Sequence, residues 1–381
     1  MWKTWRIGRW MGALLLLALA GAGCSTLMGA AIGVRVRMEP PYPMIHQTNE
    51  LGWGHYDHPF LWKFPDCVVV THNVGGETVG YGAHVSQDEG RTWTDISALE
   101  VPRYKKWFHL ISDGGTNCFA LIPGGTGPGG RYADILRYDG YRPGEGLTLT
   151  PVGTIIFEIP PTNEVGRFIE FSYTGSIDAE GNWYLASYFG NSSGYSTACY
   201  RLAPGDSVMR RISVIATRKN APWGMEGPCE PTLVALPNGE LVCVMRTGAA
   251  SHSSGLSVAN NMLLARSHDG GMTWKTRMLS APGVRPQLVA MGNGVLACAF
   301  GRPGNQLMIS GDGGWSWPVE LEVSPVHHRT GGYAGLAEVA PGRLLYAYDL
   351  LSTSLSRVWL WEPPDPVNGV FVRHIDVKRT R

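Results

Sequence analysis

The chain repeats itself, and that repetition limits its fold more than any other feature. One eight-residue pattern occurs three times: Ser86-Gln-Asp-Glu-Gly-Arg-Thr-Trp93, Ser267-His-Asp-Gly-Gly-Met-Thr-Trp274 and Ser310-Gly-Asp-Gly-Gly-Trp-Ser-Trp317. In such a segment the Ser and Asp side chains can bond the backbone of a turn, Gly supplies a positive φ, and Trp is left to pack between neighbouring sheets. A second repeat is independent of the first. Apolar hairpins centred on a Gly or Asp turn recur at 60–72, 108–122, 169–188, 231–247, 286–302 and 333–349. Their spacing of about 50 to 65 residues suits a four-stranded blade rather than a solenoid turn. The expected fold is therefore all-β, a six-bladed β-propeller formed as one domain by residues 41–381.

Composition agrees. Of 381 residues, 50 are Gly and 26 Pro, which break helices and shape turns, while 14 Trp and 15 Tyr favour strands. A formal net charge of +1 leaves no polyelectrolyte footprint, so nucleic acid is not an expected partner.

The hairpins align without gaps around their turns, which sets a register. The start of each first strand lies beside the end of each second strand, at one mouth of the ring. That places Glu230 with Arg246, Arg285 with Arg302, Tyr333 with Asp349, and Asp57 or His58 with His72. A third strand then runs away from this mouth. The Ser-x-Asp turns after it are expected on the opposite face, in a structural role.

The first residues carry an address. Lys3, Arg6 and Arg9 precede a short apolar run from Met11 to Ala20, and Gly21, Ala22 and Gly23 lead into Cys24. The run is too short for a comfortable transmembrane helix, which needs roughly 20 apolar residues. The segment resembles a bacterial lipoprotein signal, with Gly21 standing where that pattern usually has Leu. The resemblance implies a signal peptide over 1–23, lipidation at Cys24, a tether over 24–40 and an extracytoplasmic, membrane-anchored protein. An uncleaved anchor or an ordinary secretory signal are the alternatives. Six further cysteines sit at 67, 118, 199, 229, 243 and 298. An even count in an exported protein invites disulfides, but four of them lie in apolar β-runs, where they read as buried small hydrophobes.

The Ser-x-Asp-x-Gly-x-Thr/Ser-Trp form is the Asp-box, or BNR repeat, and the chain resembles the sialidase superfamily. In that family an Arg triad holds the sugar carboxylate, a Tyr activated by a Glu is the nucleophile, and an Asp is the acid/base. The resemblance places the Glu at Glu230, the second and third Arg at Arg246 and Arg302, and the nucleophile at Tyr333, in Gly332-Tyr333-Ala-Gly-Leu336. Guanidiniums grip carboxylates bidentately, and a phenol needs a neighbouring carboxylate to attack an anomeric carbon. Two positions depart from the pattern. Asp57-His58-Pro59 replaces the first Arg, and the loop expected to hold the acid Asp reads His72-Asn-Val-Gly-Gly-Glu77. Glu77 is the candidate acid, with His72 and then Asp57 behind it.

Plainer roles compete with these. Glu230 and Arg246 can form a cross-strand ion pair, Arg285 can pair with Glu226 or Glu230, and Tyr333 can simply pack. Arg285, Asp57 and His58 are also candidate substrate contacts. The pairs His55/His58 and His327/His328 read as loop histidines, so no metal and no cofactor are expected. Trp53 and Trp223 are candidates for stacking on a sugar. The function these residues imply is an exported exo-glycoside hydrolase acting, as a monomer, on sialic acid or a related acidic sugar. A silent propeller that binds glycan or protein at the same mouth, and a membrane-tethered scaffold, are the other readings.

Overall fold

The computed structural model describes residues 25–29, 33–48, 56–74, 80–99, 109–127, 130–159, 167–221, 226–250, 258–325, 330–350 and 367–380. Residues 1–24 with the lipidation candidate Cys24, and also Trp53, His55, Glu77, Trp223, His327 and His328, lie outside the described residues. The described chain is strand almost throughout, with one 3-10 turn at Arg218–Asn220. Three hairpin units form separate four-stranded antiparallel sheets, over 56–95, 229–282 and 284–324. The last hairpin, Ala334–Ala340 with Arg343–Leu350, is extended by the C-terminal strand Val367–Arg379.

Two departures from expectation stand out. The units at 109–157 and 167–216 share one nine-stranded sheet instead of forming two blades. Parallel pairing joins them at both ends, His109–Ser112 to Thr174–Ile177 and Gly146–Phe157 to Val208–Ala216. The segment expected as a tether is in part built into the fold. Val34–Met38 pairs antiparallel with the C-terminal strand, Val34 opposite Arg379, and Val34 and Val36 are buried against Val377 and Ile375.

Alternation along the strands leaves apolar side chains on both faces of most sheets, so each sheet must be covered twice. Six apolar clusters do this. They lie between 56–95 and the first half of the nine-stranded sheet, between its halves, and between its second half and 229–282. The circuit continues from 229–282 to 284–324, on to the last sheet, and from there back to 56–95. The sheets therefore close on themselves.

The three Ser-x-Asp turns are nearly superimposable in their bonding. Ser86 Oγ accepts from Gly90 N–H at 2.8 Å, and Asp88 accepts from Thr92 N–H and Oγ1 at 2.8 and 2.6 Å. Ser267 with Asp269, and Ser310 with Asp312, repeat this set. Trp93, Trp274 and Trp317 each pack into the seam with the preceding sheet, and Trp274 Nε1 donates to Ser213 Oγ there at 2.9 Å. The six cysteines at 67, 118, 199, 229, 243 and 298 are buried and unbridged.

Val36→Ala removes two buried carbons at the seam that joins the chain ends. It is expected to cost about 2 kcal/mol, read as a lower denaturation midpoint at unchanged slope. A second prediction concerns acid. His109 is buried, its Nδ1 donates to Ser172 O at 2.8 Å, and burial lowers its pKa to about 4. The fold thus favours neutral imidazole. This contribution is complete above the unfolded value near 6.5 and is lost as pH falls from there through 4, up to about 3 kcal/mol. His109→Gln should flatten the stability curve across that window; an unchanged slope would show that other groups carry the acid sensitivity.

Candidate active site

The mouth is built by a local device that recurs in three sheets. The register slips at Asp57/Phe60, Cys229/Thr232 and Val284/Gln287, each time around a residue followed by proline. Proline has no N–H for the ladder, so the strand bulges there. The residues before the prolines, His58, Glu230 and Arg285, take φ of 49°, 45° and 46°. Such positive φ costs a non-glycine residue of the order of 1–3 kcal/mol, and recurs at sites where a side chain must be re-aimed. Counting back two from the paired residues Phe60, Thr232, Gln287 and Gly335 gives His58, Glu230, Arg285 and Tyr333. Four equivalent positions thus carry an imidazole, a carboxylate, a guanidinium and a phenol.

These four side chains converge. Tyr333 Oη donates to Glu230 Oε1 at 2.7 Å, and Arg246 Nη1 donates to the same oxygen at 2.9 Å. Glu230 Oε2 accepts the backbone N–H of Arg285 at 3.0 Å. The Arg285 and Arg302 guanidiniums each lie 5.6 Å from the centre of the Tyr333 ring, and the His58 ring meets that ring edge-on at 4.3 Å. Burial, and then the Glu230 charge, push the Tyr333 phenol well above its ordinary value. The resting side chain is therefore neutral, with its proton already directed at a carboxylate.

The other guanidiniums are held by the chain itself. Arg246 Nη2 pairs with Glu226 at 3.0 Å, and its charge is strengthened because Glu230 and then Glu226 outweigh burial. Arg302 donates from Nε and Nη2 to Gly331 O at 3.0 and 2.8 Å, and burial lowers its pKa. His58 Nδ1 lies 3.2 Å from the Asn73 side-chain amide nitrogen. Asp349 is fully buried and receives the backbone N–H groups of His58 and Gly331 at 3.0 and 2.9 Å, together with the Thr330 hydroxyl.

The geometry corrects several expected positions. Asn73, not His72, pairs with Asp57 near the end of the second strand, which runs to Val74; His72 is buried beside His84, its Nδ1 on Asn73 O. The strand before Arg302 ends one residue earlier, with Gly301 opposite Val284, so Arg302 reaches in from the following turn. The side chain of Arg285 pairs with neither Glu226 nor Glu230. Its partner is Glu170, at 2.5 Å, and its guanidinium covers the Tyr173 ring at 3.8 Å. Glu170, Tyr173, Asn73 and Tyr188, which is cross-strand to Glu170, are mouth residues that pattern reading missed. Glu170 lies near the start of the third hairpin, opposite Tyr188 at its end.

No protein-family model matches the sequence, and no curated protein matches it. Solved structures do. A Dyadobacter fermentans protein of unknown function aligns over 90% of this chain and 99% of its own, with TM-score 0.60 and 14% identity. Trypanosoma rangeli sialidase, in complex with the inhibitor DANA, aligns over 84% of this chain with TM-score 0.55 and 13% identity. This chain spans 55% of that sialidase's length. Penicillium chrysogenum α-L-arabinanase, complexed with arabinobiose, aligns over 89% of this chain and 98% of its own, at TM-score 0.55 and 15% identity. Identities this low establish architecture alone: the chain has the nearly all-β fold found in these β-propeller glycoside hydrolases.

Proposed function

We propose that this protein is an exo-glycoside hydrolase of sialidase type, acting on sialic acid or a related acidic sugar. The observation that carries the reading is the 2.7 Å bond from Tyr333 Oη to Glu230 Oε1, inside a ring of guanidiniums. As Tyr333 Oη bonds to the anomeric carbon and the leaving oxygen departs, Glu230 takes the phenol proton. A neutral nucleophile suits a carbon beside a carboxylate, since it adds no anionic repulsion. Arg246 and Arg302 are assigned to the substrate carboxylate and Glu77 to the acid. No cofactor enters this scheme.

Six seams and six hairpins support six blades, with the second and third sharing hydrogen bonds, and the three Ser-x-Asp turns are read as Asp-boxes. The N-terminal pattern supports export, cleavage after residue 23 and anchoring through Cys24, on a monomer without nucleic-acid partners. A second reading, a propeller that binds glycan without cleaving it, is favoured by one observation. The position of the first Arg holds His58, an imidazole in place of a guanidinium.

Hydrolysis of a p-nitrophenyl α-sialoside separates the two readings, because a good leaving group needs little acid assistance. Turnover is expected, with a loss of about 10³-fold or more in Tyr333→Phe. Glu230→Gln should lose about 10²–10⁴-fold, the range of a general base. Full activity in Tyr333→Phe would refute the nucleophile, and sialoside binding without turnover would select the second reading.

A further inference from the structure

We propose that Arg285 is the third guanidinium of the anion site, supplied from a different strand because position 58 holds an imidazole. The inference deepens the proposed function and rests on it for the class of ligand. Arg285 occupies the same bulge position as His58 and Glu230, with φ of 46° ahead of Pro286, and its guanidinium lies over the Tyr173 ring and near those of Phe60 and Tyr333. Its guanidinium lies as far from the Tyr333 ring as that of Arg302, 5.6 Å in both cases.

Arg285 is also incompletely satisfied. Nη1 pairs with Glu170, while Nη2 is buried and has no hydrogen-bond partner among the described residues. The residue is 8% exposed, and an unmet guanidinium N–H at that depth costs free energy. Beside it lies a cavity of about 20 Å³, lined in part by Phe60, Tyr173, Thr232 and Gln287. That space accommodates one water or one ligand oxygen. A carboxylate that puts an oxygen there meets the orphaned Nη2 and completes a charge-assisted contact. Glu170 and the Tyr173 ring act as positioning groups, fixing the guanidinium plane before the ligand arrives. Arginine suits this task because its planar fork can serve Glu170 on one arm and a ligand on the other.

Binding, not turnover, tests this, so failure of catalysis does not obscure the result. A 2,3-unsaturated sialic acid and its methyl ester would be titrated calorimetrically into wild type, Arg285→Gln and Arg285→Lys, each checked for an unchanged thermal midpoint. Wild type should prefer the acid to the ester. Arg285→Gln should weaken the acid about tenfold or more and the ester far less, with Arg285→Lys recovering part of the loss. Acid and ester affinities are read without turnover, which separates this inference from the nucleophile assignment. Equal losses for acid and ester in Arg285→Gln, an unaffected acid affinity, or no wild-type binding of the acid would each overturn the proposal. The orphaned nitrogen would then be satisfied by water alone.

Discussion

The Glu230 carboxylate joins parts of the chain that are far apart in sequence. Its two oxygens accept from the Tyr333 hydroxyl, the Arg246 guanidinium and the Arg285 backbone, which belong to three different sheets. A carboxylate at this depth must be paired or pay the full cost of desolvation, and three donors meet that need. The same bonds fix where the phenol and guanidinium point. Glu230 can sit there only because its backbone is bulged ahead of Pro231 at positive φ. The chemistry of the mouth therefore depends on a backbone distortion that the surrounding sheet enforces.

That enforcement comes from the closed circuit of seams. Most of the sheets are apolar on both faces and need a neighbour on either side. The first and last sheets must consequently meet. Trp93 and Leu61 from one side and Leu345 and Val370 from the other make that junction, while Val34–Met38 stitches the N-terminal region to the C-terminal strand. The Ser-x-Asp turns hold the far ends of the third strands and send a Trp into the preceding seam. Rigidity at one end of the ring and strain at the other are complementary: the packed seams keep the bulged positions where they are.

Much of this was legible in the sequence because its causes are local. Period-two alternation and Gly or Asp turns marked the hairpins, and a gapless alignment around those turns named Glu230, Arg246, Arg285 and Tyr333 as mouth residues. Where the reading failed, a bulge intervened. One extra residue in the first strand shifts its partner by one, so Asn73 replaces His72, and Arg302 lies beyond the strand end. A one-residue slip turns a side chain to the other face, which is why His72 lies buried beside His84. Proline after His58, Glu230 and Arg285 was the available signal.

The sequence alone determined that the chain would form repeated antiparallel hairpins, and that a Tyr, a Glu and several Arg would lie at their starts and ends. Those outcomes follow from side-chain alternation and turn chemistry within about twenty residues. Tertiary structure decided the rest: that Arg285 pairs with Glu170 from a sheet more than a hundred residues earlier, that two hairpin units merge into one sheet, and that residues 34–38 close the last one. Ion pairs and sheet edges are satisfied by whatever the closed ring brings within reach, and no local pattern encodes which neighbour that is.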